Sequence, residues 1–351
     1  IGGRRNIVLN GSMLVAQRGD TTSVQTGYGG CDRFQFASSG ATRVTLQQST
    51  DVPSNQGFIN SQRVDVTTAD SSLAAGDYAQ LRTKIEAQDL QHLKYGTSEA
   101  EKLTLQFWVK SSKTGTHIIE LYHYDANYMS DQTYTISSAN TWQKVTVTFD
   151  GYQTTNFAND NGIGLGIQWW LLAGSTYSSG TLTSNTWHNT QANRAVGQVN
   201  VMDSTDNNFY LTGVQLEVGS QATPFEHRSF GEELALCQRY YFNPWLNAER
   251  RTYQVNGFRH GSGWIFSMNF PMTMRAAPTI DFGSTPDDDI GINSTGGGVS
   301  VRPTSEFSAA NIGIHGCRLT SSWSGTYSTG DPGAITNDDA SGCTLNIDAE
   351  L

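Results

Sequence analysis

Two short stretches carry the same pair of side chains at the same spacing. Gln106 and Trp108 lie two apart in "KLTLQFWVKSS". Gln168 and Trp170 do so in "GIGLGIQWWLL", where Gly164 and Gly166 precede them. On an extended strand, residues two apart share a face. An indole can stack on the C–H groups of a sugar ring, and an amide beside it both donates to and accepts from hydroxyls. Glycine leaves room for a ligand to lie against the backbone. Trp170, Gln168, Gly166, Gly164, Trp108 and Gln106 are therefore the candidate glycan-binding residues. Trp108 supplies a second plate only if its strand neighbours that of Trp170, which sequence does not establish. A covering loop, a C-terminal domain or a neighbouring subunit would instead make these indoles packing residues. Trp169 must point the other way, into a core. Trp169→Ala should then lower stability, and Trp170→Ala should leave it nearly unchanged.

Catalytic signals are weak by comparison. No G-x-S-x-G, H-E-x-x-H or P-loop pattern occurs. Glycoside hydrolysis needs paired carboxylates, and Glu86, Glu120, Glu217 and Glu226 are candidates, although 32 acidic residues guarantee suggestive ones. The default is a solvated or salt-bridged carboxylate and no enzyme activity. His117 and His123 could share a strand face, but the seven histidines are scattered and propose no zinc site. A structural calcium would suit the oxygen-rich loops at Asp287-Asp288-Asp289, Asp338-Asp339 and "MDSTDNN", without an assignable ligand set. Cys31, Cys237, Cys317 and Cys343 form no C-x-x-C pair. Cys317 and Cys343 could meet, but buried thiols are the simpler reading.

The elements that must position these residues are strands. Leu103, Leu105, Phe107 and Val109 alternate with polar neighbours, as do Val145, Val147 and Phe149. Ile163, Leu165, Ile167, Trp169 and Leu171 form one face of a third run. Period-two alternation between short turn segments signals an all-β sandwich or barrel. The stretch 78–93 reads as a strand, Tyr78–Ile85, followed by a loop, in preference to a helical turn at 87–93. In "LTGVQLEVGSQATPFEHRSFGEELALCQRYY" the apolar phase slips at Gly213, which predicts a β-bulge. Ser229 with Glu232 then makes a capping box that starts a short helix. The expected organisation is a β domain over 1–228, a helical connector over 229–247 and a small β domain over 248–351. Tyr240, Tyr241, Phe242 and Trp245 crowd one small region, and a threefold interface would hide them.

The chain has 351 residues, a formal charge of −10, and enough aromatics (14 Tyr, 15 Phe, 8 Trp) to build a core. Its acidity argues against nucleic acid as a partner. No apolar run approaches the roughly 20 residues of a membrane span, so membrane insertion is not expected. The chain begins at Ile1, which implies processing or a start outside this sequence, and no signal peptide is visible.

Several blocks in order, among them "GRRNIVLNGSMLVAQRG", "CDRFQF", "LTLQFWVKSS", "NGIGLGI", "FYLTGVQLEVGSQATPFEHRSFGEELALCQRYY" and "FPMTMRAAPTI", resemble a family of tailed-bacteriophage and marine-virus structural proteins, tail-fibre or virion-appendage proteins. The resemblance covers roughly 1–280. It implies a carbohydrate-binding-module-like jelly-roll β-sandwich followed by a small C-terminal β domain. It also implies location in the virion, a homotrimer, contacts with other virion proteins, and adhesion to host cell-surface polysaccharide without catalysis. A polysaccharide-degrading fibre and a cellular lectin-like module are the alternatives.

Overall fold

The structure, a computed structural model, describes residues 5–244, 254–282, 289–294, 298–323, 327–337 and 345–351. The chain divides into two compact units, Ile1–Glu233 with Leu351, and Leu234–Glu350. Among the described residues no helix is long and apolar enough to cross a membrane.

The first unit is a jelly-roll sandwich of two six-stranded antiparallel sheets. Its strands in chain order are β1 (Thr21–Val24), β2 (Thr26–Tyr28), β3 (Gln35–Ser38), β4 (Arg43–Ser49), β5 (Ser61–Thr68), β6 (Tyr78–Glu86), β7 (Leu103–Ser111), β8 (Gly115–His123), β9 (Tyr128–Ile136), β10 (Gln143–Phe149), β11 (Ile163–Ala173) and β12 (Asn208–Val218). The first sheet runs β1-β4-β5-β12-β7-β10 and the second β2-β3-β6-β11-β8-β9. Alternation dictates the core between them. Leu103, Leu105, Phe107 and Val109 of β7 face Leu165, Ile167, Trp169 and Leu171 of β11 in one buried cluster. Trp169 meets Phe107 edge-on, with ring centroids 5.6 Å apart, so the indole ties one sheet to the other.

The expected phase slip in β12 falls between Thr212 and Gln215, where its pairing with β7 shifts. Gly213 has a φ of +62° there, and a Cβ would lie 2.6 Å from the Phe58 ring. Glycine is required on both counts. The N-terminal segment laces into the bulge. Asn6 donates from Nδ2 to the Val214 carbonyl (3.0 Å) and accepts from the Leu216 N–H (3.1 Å).

The segment after β6 departs from the expected loop. Ala87–Leu93 is a 3₁₀-helix that buries Ala87, Leu90 and Leu93. Residues three apart eclipse one another in such a helix, so these three form one apolar ridge. The expected boundary at residue 228 also differs from the division of the chain. Arg228 pairs with the buried Glu233 carboxylate at 3.2 Å, and Glu233 accepts the Asn10 N–H. Both residues belong to the first unit. The helix Phe230–Gln238 straddles the division, and Ser229 Oγ accepts the Glu232 N–H at 3.3 Å, as its cap position requires.

In the second unit, a seven-stranded antiparallel sheet runs in the order Gly298–Pro303, Asp289–Ser294, Pro332–Asn337, Gln254–His260, Gly263–Asn269, Gly316–Ser321, Phe307–Ala310. A three-stranded sheet joins Tyr241–Phe242, Asn346–Asp348 and Thr279–Asp281. The end of the expected helical connector is thus a strand. Tyr240, Tyr241 and Phe242 were expected at a subunit interface, but they are 2%, 3% and 7% exposed within the single chain. Phe242 joins the core of this unit, and Tyr241 Oη donates to Asn346 Oδ1 at 2.5 Å. Intrachain packing among the described residues is what hides these aromatics. Trp245 lies outside the described residues, as do Asp287, Asp288, Asp338, Asp339 and Cys343. Cys31, Cys237 and Cys317 are buried, and burial pushes the Cys317 thiol up to about 11.

Candidate functional site

The second face of β11 lies on the outside of the second sheet, and cross-strand register builds a polar row there. Gln35 of β3 opposes Arg82 of β6, and Arg82 opposes Gln168 of β11. Gln168 opposes Glu120 of β8, which opposes Asp131 of β9. Residues that oppose one another on one face interact. Arg82 donates from Nε to Gln35 Oε1 at 2.7 Å. Gln168 donates from Nε2 to the Tyr124 hydroxyl at 3.3 Å.

Arg194, from the loop after β11, reaches down onto this row. It donates from Nε and Nη2 to the two oxygens of Glu120, at 2.8 and 2.7 Å, and from Nη2 to Gln168 Oε1 at 3.2 Å. Its guanidinium also lies 5.1 Å from the Trp170 ring centre and 5.2 Å from that of Tyr122. Glu120 is fully buried, so this fork is what makes its charge tolerable. Burial tends to lower the Arg194 pKa, but the Glu120 carboxylate outweighs it and holds the guanidinium above its ordinary value. Behind the pair, burial and then the Glu120 carboxylate push the Asp131 carboxyl well above the usual range. His188 Nε2 sits 2.5 Å from Asp131 Oδ2, and burial lowers the His188 pKa.

Around Arg194 the surface is recessed by a cavity of about 230 Å³. Its floor is Gln80, Gln168 and Trp170, and its walls carry Tyr78, Tyr122, Tyr124 and Tyr177. The Tyr122 and Tyr124 rings meet edge-on at 4.4 Å, and Tyr78 meets Tyr177 edge-on at 5.8 Å. All four phenols are partly exposed. The recess can therefore present aromatic faces, amides and guanidinium groups to a polyhydroxylated ligand.

The candidate residues are redistributed by this geometry. Gln168 and Trp170 do line the recess, but at 2% and 1% exposure. Arg194 and Tyr177 lie over the Trp170 ring, and the indole Nε1 is buried without a hydrogen-bond partner. Trp170 is consequently floor, not an open stacking plate, and the expectation that Trp170→Ala leaves stability unchanged is corrected. The bare glycine floor is also corrected. A Cβ on Gly164 would lie 2.7 Å from Ala87 Cα, beneath the 3₁₀ ridge, and one on Gly166 would lie 2.9 Å from the Tyr124 ring. Neighbouring side chains, not ligand, occupy that space.

Gln106 and Trp108 sit on β7, in the first sheet, and so on the opposite outer face. They border a separate recess of about 330 Å³ with Phe58, Phe225 and His227. Gln106 Nε2 donates to the Thr223 carbonyl at 2.6 Å, so the segment after β12 lies over it. The two Gln/Trp pairs cannot act on one ligand ring.

The plates that sequence reasoning missed are the tyrosines. Tyr78, Gln80, Arg82 and Lys84 are visible as an alternating face, but nothing in the sequence places that face beside Tyr122 and Tyr124. Arg194, in irregular chain, gives no periodic signal.

The candidate acids are each tied to structure. Glu86 accepts from Gln88, and Glu217 accepts from Thr223. Glu226 accepts the backbone N–H of Arg5 and Asn6, and Glu120 holds Arg194. His117 packs against Tyr134 and His123 stacks on Phe157 at 4.1 Å, both on the core side of β8. Among the described residues no three His, Cys, Asp or Glu side chains gather as a metal site. Asp203 of "MDSTDNN" instead pairs with Lys113.

No family model and no curated protein matches the chain. Among solved structures, the enzymatically active domain of tailspike protein 4 from bacteriophage CBA120 is 14% identical over 61% of this chain and 21% of its own, with a TM-score of 0.31. The match thus spans about a fifth of that tailspike chain. A family 11 carbohydrate-binding module of a Clostridium thermocellum cellulosomal cellulase is 12% identical over 57% of this chain and 97% of its own, at 0.29. A family 61 module in complex with β-1,4-galactotriose is 9% identical over 62% and 100%, at 0.31. These are distant likenesses.

Proposed function

We propose that the first unit is a non-catalytic glycan-binding module, carried on a virion appendage and directed at host cell-surface polysaccharide. The observation that carries the reading is the recess on the outer face of the second sheet. There the Tyr122 and Tyr124 rings stand 4.4 Å apart beside Gln168 and Arg82. Phenol faces suit the apolar side of a sugar ring, and the amide and guanidinium groups suit its hydroxyls. The volume is below the roughly 300–1,000 Å³ of pockets that enclose drug-sized ligands. A single residue of a polysaccharide, with the chain running out to solvent, fits that scale.

What supports the absence of catalysis is the state of the nearest carboxylates. A glycosidase sets two of them about 5–9.5 Å apart across the scissile bond. Glu120 is instead buried under Arg194, with Asp131 directly behind it. The appendage and its homotrimer rest on the sequence blocks that resemble virion structural proteins, with no support from Tyr240, Tyr241 or Phe242. The test is incubation of the full chain with capsule or lipopolysaccharide from candidate hosts. Retention of the polysaccharide without cleaved products is the expected result, and release of oligosaccharides would replace this reading with a depolymerase. Detection of the chain in purified virions checks the location, and a light-scattering mass near three subunits checks the assembly.

A further inference from the structure

Resting on the glycan-binding reading, we infer that the recess selects an acidic sugar, with a ring carboxylate seated on Arg82. Arg82 stands in the middle of the polar row, between Gln35 and Gln168. Its Nε is engaged by the uncharged Gln35 amide at 2.7 Å. That contact fixes the plane of the guanidinium, while both Nη groups have no partner among the described residues. Other arginines of the unit are matched differently. Arg194 forks onto Glu120, Arg228 pairs with Glu233, Arg63 pairs with Asp65, and Arg43 is held by three backbone carbonyls.

A planar guanidinium with one edge held and the other open fits a carboxylate through two parallel hydrogen bonds. The local charge balance favours the same ligand. Glu120 cancels Arg194, and the Asp131 carboxyl is held toward its neutral form behind them, so the Arg82 charge is left uncompensated. This occurs in a chain with a formal charge of −10, on which an unmatched cation inside a recess is not a background feature. A neutral sugar seated there would displace water from the guanidinium and return only hydroxyl contacts, whereas a carboxylate restores full pairing. The flanking tyrosines then hold the ring that bears the carboxylate.

The experiment is calorimetric titration of the full chain with a panel of uronic-acid oligosaccharides, each also after reduction of its carboxyl groups to alcohols, and with sulfated neutral counterparts. The expected result is binding of at least one uronate roughly tenfold or more tighter than its reduced form, a gap of about 1.4 kcal/mol. That advantage should shrink between 50 and 500 mM NaCl, and Arg82→Gln should bring the uronate down to the affinity of the reduced form. The salt series on unmodified protein decides the matter if Arg82→Gln does not fold. Equal binding of uronate and reduced forms, both weakened about tenfold in Tyr122→Ala, would overturn the acidic-sugar inference and leave the glycan-binding reading standing. Tighter binding of the sulfated forms than of the uronates would also overturn it, in favour of a tetrahedral anion. Failure of every member of the panel to bind would remove both.

Discussion

The two outer faces of the sandwich carry the same Gln/Trp pair, yet they are built differently. On the second sheet, Gln168 and Trp170 form the floor of a recess, closed from above by an arginine fork and walled by four tyrosines. On the first sheet, Gln106 is bonded by the segment after β12, and Trp108 stays partly exposed beside Phe58 and Phe225. Strand periodicity says which way a side chain points. It does not say what crosses over it, and the crossing chain decides whether an indole becomes floor, wall or plate.

The strongest way to break this comparison is to remove the clamp that only one face has. Glu120→Gln leaves Arg194, whose side chain is 11% exposed, without its carboxylate. Breaking a buried pair by removing one partner costs about 3–5 kcal/mol. Urea unfolding should show a loss of that size, with glycan binding lost as well. A loss below about 1 kcal/mol would mean that Arg194 finds another partner and that the recess is not organised by the fork.

Truncating the two indoles sharpens the contrast. Trp170→Ala empties a nearly fully buried site and should cost about 3 kcal/mol or more. Trp108→Ala, at a partly exposed site, should cost clearly less. Equal thermal shifts would contradict the burial difference between the faces.

The two sides of β8 offer a pH test of similar or smaller size. Glu120 lies on the outer side of the strand, buried beneath Arg194, while His117 packs in the core against Tyr134, and burial lowers the His117 pKa to about 4. The ordinary histidine value is about 6.5. The unfolded chain therefore binds a proton between pH 6.5 and 4 that the folded chain refuses. The stability this group contributes is complete above about 6.5 and is lost as pH falls to about 4, at most about 3 kcal/mol. Unfolding curves at pH 7.5 and 4.5 should differ less in His117→Phe than in the unmodified protein. An identical pH dependence would show that the His117 imidazole is not the group involved.

Much of this architecture is legible in residue order, and the reasons are local. Alternation in 103–109 and 163–171 sets the two inner faces, the slip at Gly213 marks the bulge, and Ser229 marks the helix start, because each depends on neighbours a few positions away. The recess is not legible in the same way. Its row runs through residues 35, 82, 168, 120 and 131, which only the strand order brings together. Arg194 arrives from irregular chain with no period to betray it. The 3₁₀ ridge at 87–93 hides in a stretch whose preceding strand pattern is stronger, and it fills the space that made Gly164 look open. The cluster at 240–242 misleads for a related reason. Aromatic crowding shows that something must cover those rings, and the covering strand lies about a hundred residues further along the chain, at Asn346–Asp348.

The central claim is that the tyrosine-walled face, and not the Trp108 face, takes the glycan. Titrating the polysaccharide of a susceptible host into the full chain, Tyr122→Ala and Trp108→Ala tests it most directly. Tyr122 is partly exposed, so its removal should change stability little, yet losing one stacked ring should weaken binding about tenfold, or roughly 1–1.5 kcal/mol. Trp108→Ala should bind as the unmodified protein does. Weakened binding in Trp108→Ala, with Tyr122→Ala unaffected, would contradict the account and move the site to the opposite sheet.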